Sequence, residues 1–583
     1  MRFKGILLFV GYVFWCTGAF AQSKDIKLPA NWFNLDLVQD GYFGISTEKA
    51  YKELLQNKKP KEKIIVAVID GGVDTNHEDL KDVIWTNKKE IPGNGIDDDG
   101  NGYIDDVHGW NFIGSKNGNL AYDNLELVRI LRKYQPKYRS TIRSTVLDST
   151  EKEEFALYTR ANAEFGKKYD EAHQTFAIVA MINKLLDSVA QINHKTIPSL
   201  EDMERYKADN EDEEQYLKII RKGSRESGSM EKFHKEMKDA YKQYDVMLRY
   251  NLNPKYDERA TLVGDDYTNS GERIYGNKDV TGPNADHGTH VSGIIAANRD
   301  NHIGIMGVAG NVQIMAIRVV PEGDERDKDV ANGIRYAVDN GARVINMSFG
   351  KGFKWDKETV DEAVKYAEKK GVLLVHAAGN DNQNNDETEN YPNKFYEGPE
   401  AIAYRKDRKK NAVKPVPFKP SLNQMGMGRG MSPVIPKVVT DTLKFKLPHA
   451  GNWIEVGASA YKNDASLKAS FSNYGKHTVD VFAPGFMIKS TVPDSKYEEF
   501  DGTSMAAPVV SGLSALILSY YPQLKPNEVR EIIMKSVTPV LQKVRYTNER
   551  GESTRAAFNE LCVSGGIVNA YEALKLAALY SQK

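Results

Sequence analysis

The sequence contains very little cysteine, has no excess of either charge, and carries no long apolar run after its N-terminus. Of 583 residues only Cys16 and Cys562 are cysteines, which excludes a small scaffold held together by several disulfides. The formal net charge is −1, so nucleic acid or an anionic membrane surface is not expected as the main partner. Because no second run of about 18 apolar residues follows the N-terminus, no membrane span is predicted.

The N-terminus has the pattern of a secretory signal peptide. A basic start is followed by an apolar stretch over residues 5–15, which is too short to cross a bilayer. Ala19 and Ala21 then have the small-x-small spacing of a cleavage site. The sequence therefore predicts removal of residues 1–21 and an exported chain. A lipid anchor on Cys16 is not expected, because bulky aromatic residues precede it.

The body of the chain alternates between short apolar runs and amphipathic helical patterns. The apolar runs are residues 64–74, 312–320, 342–350 and 371–380, and helical patterns occupy residues 330–340 and 358–371. Continuous apolar runs of this length are typical of buried parallel strands. The alternation predicts an α/β fold with a doubly wound, mostly parallel sheet and helices on both faces. In such a sheet, functional residues are expected at the carboxyl ends of the strands.

Two stretches interrupt this alternation. Residues 120–260 are charged and have helical periodicity, with a buried helix expected over 172–192 and an apolar face that includes Met230, Phe233, Met237, Tyr241 and Tyr244. Residues 396–452 are rich in proline and basic residues and are expected to form loops. Each insertion is interpreted either as a lid or exosite beside the active site or as a stabilising addition on the far side.

These patterns divide the chain into consecutive segments. The predicted segments are the signal peptide (1–21), an N-terminal extension (22–63), three parts of one α/β domain (64–119, 261–395 and 453–583), a helical insertion (120–260) and a loop-rich insertion (396–452).

Four polar residues stand where such a fold would place chemistry. Asp70 and Asn380 end apolar runs, and His287 is expected in a glycine-punctuated loop that leads into an apolar helix. Ser504 stands at the expected N-terminus of another apolar helix, with Pro508 expected in its first turn. Aspartate, histidine, serine and an amide are together the groups needed for acyl transfer by a serine nucleophile. Taken alone, Ser504 is equally compatible with a simple helix cap.

The local sequences around these residues resemble the subtilisin-like serine peptidases, the subtilases. The matching segments are VAVIDGGVD around Asp70, HGTHVSGIIAA around His287, AAGN at Asn380 and GTSMAAPVVSG around Ser504. The chain order Asp, His, Ser is also the order found in that family. The resemblance implies a catalytic triad of Asp70, His287 and Ser504. It also implies an oxyanion hole formed by the Asn380 side chain and the Ser504 N–H.

The same resemblance implies where a substrate would bind. Ser348, Phe349 and Gly350 match the family segment that pairs with the substrate backbone as an added strand. That segment and a second one are expected to form the walls of the S1 pocket; the second comprises Ala377, Ala378 and Gly379. Asn390 falls where many family members have a glycine at the pocket floor, which suggests a shortened pocket.

An acidic loop after the first strand indicates a cation site. Asp97, Asp99 and Asn101 match the start of a calcium-binding loop, and Asp105 falls at its ninth position. Hard oxygen ligands favour Ca²⁺ over Zn²⁺, and the alternative is a solvated acidic turn. Asp79 matches a second family position that often binds calcium.

A second loop, NRDNHIGI, places Asn298 and Asn301 where family members complete the site expected at Asp79. These asparagines carry a weaker signal than the acidic loop.

Taken together, the sequence predicts an exported, monomeric serine endopeptidase that cleaves polypeptides. One alternative is a catalytically silent binding scaffold on the same fold, although such a scaffold would be expected to have lost a triad member. The sequence is also compatible with a narrow-specificity processing protease gated by its insertions, and with an esterase or peptide ligase.

Overall fold

The computed structural model of the protein describes residues 28–141, 148–398, 447–548 and 551–582. The predicted signal peptide and Cys16 lie outside the described residues, as does most of the predicted loop-rich insertion. Among the described residues the strands are β1 (Ile64–Asp70), β2 (Gly109–Asn111), β3 (Gly114–Ser115), β4 (Gly118–Asn119), β5 (Val312–Arg318), β6 (Val344–Met347), β7 (Leu373–Ala377), β8 (Trp453–Ser459), β9 (Val481–Pro484), β10 (Ile488–Val492), β11 (Lys496–Phe500), β12 (Thr538–Pro539), β13 (Lys543–Thr547), β14 (Ser553–Ala557) and β15 (Gly566–Ile567).

A nine-stranded sheet forms the centre of the described structure. Its strand order is β12-β15-β9-β8-β7-β6-β1-β5-β2, and every neighbouring pair is parallel except β12 and β15. The chain places β5 on one side of β1 and then β6 on the other, so the order reverses at β1. A crevice forms at such a reversal, outside the carboxyl ends of the strands. Asp70 is the last residue of β1 and therefore lies at this crevice.

Helices cover both faces of the sheet. The helices in the described ranges are α1 (Thr47–Ala50), α2 (Glu126–Tyr138), α3 (Ser149–Ile192), α4 (Leu200–Arg205), α5 (Glu211–Glu226), α6 (Met230–Val246), α7 (Arg259–Leu262), α8 (Asp286–Ala296), α9 (Asp327–Asp339), α10 (Lys357–Lys369), α11 (Thr503–Tyr520), α12 (Pro526–Lys535) and α13 (Ala570–Tyr580). Val66 and Val68 of β1 pack on the face covered by α8 and α11, whereas Ala67 and Ile69 pack on the face covered by α9 and α10. The predicted α/β class with helices on both faces is confirmed.

Between β4 and α8 lies a group of helices, α2 to α7, with apolar clusters of its own. The predicted helix over 172–192 is the second half of α3, and the apolar face of α6 buries Met230, Phe233 and Met237. Tyr241, expected on the same face, is 38% exposed and lies outside this buried cluster, with its ring 5.0 Å from that of Phe176 on α3. A second cluster packs α2 and α3 against Phe353, which follows β6. Apolar contacts therefore join the inserted helices to the segment that follows β6.

Residues 28–55 pack into the main core. Trp32 and Phe33 are fully buried, and the indole Nε1 of Trp32 donates to the carbonyl of Met487 at 3.0 Å. Further along, the N–H of Ala570 donates to the carbonyl of Ile45 at 2.7 Å. The N-terminal extension is therefore an integral part of the fold over these residues.

Two helices among the described residues are long and apolar enough, by length and composition alone, to span a membrane. They cover Thr150–Ile192 and Thr503–Tyr520. The apolar window of Thr503–Tyr520 is 94% buried inside the fold, as expected for the core helix of an α/β sheet.

Candidate active site

Asp70 and His287 form a close pair at the carboxyl end of β1. The His287 Nδ1 lies 2.9 Å from each carboxylate oxygen of Asp70, which is 3% exposed. His287 is the second residue of α8, which already begins at Asp286, so it lies in a helical turn and not in the predicted loop. Burial by itself lowers the pKa of His287, but the charge and hydrogen bond of Asp70, aided by Glu322, outweigh it and raise the pKa above its ordinary value.

Ser504 is the second residue of α11, as its predicted position at a helix N-terminus requires. The first N–H groups of a helix have no intrahelical acceptor, so the N–H of Ser504 can donate to an anion. Pro508 lies in the second turn and not in the first, because α11 begins at Thr503. Proline has no N–H, so the carbonyl of Ser504 lacks its usual helical donor. The Ser348 Oγ donates to that carbonyl instead, at 2.9 Å.

The hydroxyl of Ser504 is held by Ser348. The Ser504 Oγ donates to the backbone carbonyl of Ser348 at 2.9 Å, and no hydrogen bond joins it to His287 within the described part of the chain. Asn346 Nδ2 donates to Ser348 Oγ at 2.9 Å and Asn346 Oδ1 accepts from Ser511 at 2.8 Å, which fixes the Ser348 side chain. Catalytic hydrogen bonds are commonly incomplete without substrate, so this arrangement is compatible with a nucleophile at rest.

Asn380 lies beside the start of α11, with its amide oxygen held by Thr503. The Asn380 Oδ1 accepts from both the N–H and the Oγ1 of Thr503, each at 2.9 Å. The Thr503 Oγ1 in turn accepts from the Gly379 N–H at 3.1 Å. With its oxygen fixed in this way, the exposed Asn380 side chain directs its Nδ2 donors away from Thr503. Sequence analysis did not single out Thr503, although its place between Gly502 and Ser504 was visible.

A cleft of about 290 Å³ opens beside the Asp70–His287 pair. Its lining includes residues 320–323, which follow β5, and Ser348 and Phe349, which follow β6. Strands β5 and β6 lie on opposite sides of β1 in the sheet. Glu322 is exposed and is the acidic side chain that acts on the His287 charge besides Asp70. No local sequence pattern indicates Glu322, because its proximity to His287 depends on the pairing of β1 with β5.

The predicted substrate-binding residues lie on two neighbouring segments. Ser348, Phe349 and Gly350 follow β6. Ala377 is the last residue of β7, and Ala378 and Gly379 lead from it to Asn380. Asn390 joins the two segments. Its Nδ2 donates to the carbonyl of Ala378 at 3.2 Å, and a Cβ added to Gly350 would lie 2.8 Å from its Oδ1. Asn390 therefore occupies the space between the two segments.

The acidic loop contains a group of carboxylates that could hold a metal ion. Glu90, Asp97 and Asp99 each offer an oxygen, and these oxygens all lie within 4.8 Å of one another. Asp105 is instead paired with Lys278, whose Nζ lies 2.8 Å from Asp105 Oδ2. The Asn101 side chain is engaged inside the loop, with Oδ1 accepting from Tyr103 N and Nδ2 donating to Asp106. Sequence analysis did not single out Glu90, because it lies outside the loop motif.

Asp79 and its neighbouring loop form a separate polar cluster. Asp79 is 1% exposed, and its carboxylate accepts from Asn301 Nδ2 at 2.7 Å and from the Ile305 N–H at 3.1 Å. The backbone carbonyl of Asp79 accepts from the Asn298 N–H at 3.1 Å. The structure therefore brings all three predicted residues together, with direct hydrogen bonds among them.

Comparison with known proteins identifies the family. The sequence profile described as "Subtilase family" matches residues 61–559. "Subtilisin DY" from Bacillus licheniformis is 34% identical over 257 residues, which cover 43% of this chain and 70% of that protein. "Thermostable alkaline protease" from Halalkalibacterium halodurans is 31% identical over 274 residues, covering 47% of this chain and 58% of that protein.

Among solved structures, "Proteases from Pseudoalteromonas arctica" matches 52% of this chain and 78% of its own, with 25% identity and a TM-score of 0.36. The chain spans less than two thirds of the length of several of the relatives that it matches. Because the family profile covers most of the sequence, the chain belongs to the subtilase family.

Proposed function

We propose that this protein is a serine endopeptidase that hydrolyses peptide bonds through an acyl-enzyme on Ser504. The observation that carries the proposal is the geometry of His287, whose Nδ1 lies 2.9 Å from both oxygens of the buried Asp70. That contact leaves Nε2 as the proton acceptor, because the aspartate fixes the tautomer with its proton on Nδ1. Ser348 lines the same cleft as His287 and holds Ser504.

In the proposed reaction the Ser504 hydroxyl turns from the Ser348 carbonyl toward His287. The Nε2 of His287 takes the hydroxyl proton while Oγ bonds to the carbonyl carbon of the substrate, whose oxygen becomes the oxyanion. The Nδ2 of Asn380 and the N–H of Ser504 donate to that oxyanion. His287 then gives its proton to the leaving amine as the peptide bond breaks. In the second half-reaction His287 takes a proton from water, whose oxygen bonds to the acyl carbon. The bond from that carbon to Ser504 Oγ then breaks, the acid leaves, and His287 returns the proton to Oγ.

For substrate binding, we infer that residues 348–350 pair with the substrate backbone. A polypeptide fits such an added-strand mode better than a small ester does. The Asn390 side chain, between Gly350 and Ala378, supports a shortened S1 pocket that disfavours large aromatic side chains.

We also propose a structural calcium ion at the acidic loop. Glu90, Asp97 and Asp99 fit a hard cation because each contributes a carboxylate oxygen to one small space. Asp105 and Asn101 would then support the loop through Lys278 and Asp106. We further propose that the chain is exported through the predicted signal peptide. Export would expose the acidic loop to the higher calcium concentrations at which extracellular calcium sites are occupied.

A catalytically silent scaffold is the second candidate, and one observation favours it. The Ser504 Oγ donates to Ser348 and not to His287. In a silent scaffold this would be the permanent state of the hydroxyl, and the cleft would hold a partner without cleaving it.

The deciding experiment treats residues 22–583 with a fluorophosphonate probe and with unfolded casein, in calcium buffer. Ser504→Ala is the matched variant. The proposal predicts labelling and casein cleavage that are both lost in Ser504→Ala. Labelling without casein cleavage would point to a narrow processing protease. A folded chain that does not react with the probe would contradict the endopeptidase proposal and support the silent scaffold.

A further inference from the structure

The first inserted helix, α2, begins beside residues 320–323, which line the cleft. The chain enters α2 through residues 121–123, and these pair with the cleft segment by backbone hydrogen bonds. The Glu322 N–H donates to Ala121 O at 2.9 Å, and the Asp123 N–H donates to Glu322 O at 3.1 Å. The N–H of Glu126, the first residue of α2, then donates to Asp324 Oδ2 at 2.7 Å. One edge of the cleft is therefore held by the start of the insertion.

Lys351 connects residues 320–325 to the segment that contains Ser348 and Phe349. It follows Gly350 directly, and its Nζ donates to the Glu325 carbonyl at 2.7 Å and to Glu126 Oε2 at 2.7 Å. Its backbone also pairs with Tyr391, the residue after Asn390, through two hydrogen bonds of 2.9 Å. Lys351 thus contacts both cleft segments and the segment that carries Asn390.

Arg129 completes the arrangement from the next turn of α2. Its Nη2 and Nε bind the two oxygens of Glu126 at 2.8 and 3.1 Å. Arg129 also donates to three backbone carbonyls, those of Asp324 at 3.1 Å, Glu325 at 3.3 Å and Asn124, at the start of the insertion, at 2.9 Å. We call Glu126, Arg129 and Lys351 the clamp.

The clamp is fully enclosed. The side chains of Glu126 and Lys351 are 0% exposed, and that of Arg129 is 2% exposed. Burial by itself raises the pKa of Glu126, but Arg129 and Lys351 outweigh it and bring the pKa to about 2. Asp327 lies 2.7 Å from Lys351, and Asp123 lies 3.3 Å from Arg129 and 2.7 Å from Arg326. The three carboxylates thus balance three cations. Removing one partner of such a buried group leaves an uncompensated charge, so the positions of the three side chains are strongly coupled.

We propose that Glu126 and Lys351 are positioning residues that set the width of the substrate cleft. Through them the inserted helices hold residues 320–325 and 348–351 at the separation that a substrate strand requires. The inference rests on the proposed function, because it assigns a role in binding the peptide substrate. By this proposal the start of α2 contributes to substrate binding, independently of the role of the other inserted helices.

The test compares two kinds of substrate on active-site-titrated enzyme. One is an ester of a single acylated residue, which occupies S1 alone; the second is a peptide with four residues before the scissile bond, which must lie in the cleft. In Glu126→Gln and Lys351→Met, KM for the long peptide is expected to rise about tenfold, because small displacements of binding groups are costly. KM and kcat for the ester are expected to change less than about twofold. Lys351→Arg keeps a cation at this position, although with a different shape. Its ratio of KM for the long peptide to KM for the ester is expected to stay close to the wild-type ratio.

The matched control is Asp361→Asn, which removes the partner of the equally buried Lys357 on α10. It is expected to lower stability without changing the ratio of the two KM values. Equal losses for both substrates, or an unchanged ratio in folded Glu126→Gln and Lys351→Met, would show that the clamp only stabilises the fold. Failure of the wild-type enzyme to react with the fluorophosphonate probe would instead overturn the proposed function itself.

Discussion

Ser504 and Ser348 exchange two hydrogen bonds, each through the hydroxyl of one residue and the backbone carbonyl of its partner. Both are 2.9 Å long. The first supplies a donor to the Ser504 carbonyl, which lacks its helical donor because residue 508 is proline. The second holds the Ser504 hydroxyl against the Ser348 carbonyl. The residue expected to bind substrate therefore also holds the helix turn that carries the expected nucleophile.

Replacing Ser348 by alanine should weaken that turn. The carbonyl of Ser504 would lose its donor, so we expect the free energy of unfolding to fall by about 1–3 kcal/mol in urea titrations. Ser514→Ala is a suitable control, because Ser514 Oγ donates to the Val510 carbonyl, which already accepts a helical N–H. Equal losses in the two variants would contradict the role given to Ser348.

The oxyanion arrangement should depend on Thr503 as well as on Asn380. Asn380→Ala is expected to reduce kcat by about 10²–10³-fold with little change in KM, because one oxyanion donor is lost. Thr503→Val preserves shape but removes the hydroxyl that holds the Asn380 oxygen, so a smaller fall in kcat is expected. Steady-state kinetics on one peptide measure both. If Thr503→Val changed KM and left kcat intact, Thr503 would have another role.

The pH dependence of the reaction should respond to Glu322. Its negative charge contributes to the raised pKa of His287, so Glu322→Gln should lower that pKa. The imidazole must be neutral to accept the serine proton, and the acidic limb of kcat/KM should therefore move to lower pH. Glu358→Gln, the same change on the exposed side of α10, should leave the profile in place. A shift to higher pH in Glu322→Gln would contradict the electrostatic assignment.

Calcium should stabilise the protein through the acidic loop. At free calcium about 100-fold above its Kd, we expect about 3 kcal/mol of added stability relative to a chelator. Asp97→Asn and Asp99→Asn should reduce this difference, whereas Asp212→Asn on α5 should not. Thermal unfolding with and without calcium measures it. A calcium effect that persists in both loop variants would place the ion elsewhere, for example at Asp79.

How much of the structure could be predicted from the sequence depended on the range of the interaction involved. Apolar runs predicted the first residues of β1 and β5, since a buried strand is apolar throughout, but they extended beyond the ends of the strands at Asp70 and Arg318. Pro508 was placed one turn too early in α11, because the pattern did not reveal that the helix starts at Thr503.

The residues that escaped the sequence analysis act across long separations. Lys351 lies 225 residues from Glu126, and no local pattern links a lysine after one strand to a glutamate that begins a distant helix. Glu90 was missed for a related reason, since it joins Asp97 and Asp99 only through the folding of the loop.

The close pair of Asp70 and His287 has a consequence for how this protein reaches its native state. The two residues are 217 positions apart, and all the helices from α2 to α7 are synthesised between them. Contacts between such distant positions close large loops, and folds dominated by them form slowly. Strand β1 must therefore wait for β5 and β6 before its edges are paired. Until then β1 is an apolar strand with unpaired edges, which favours aggregation. Early formation of the inserted helices would shorten the time that β1 spends unpaired.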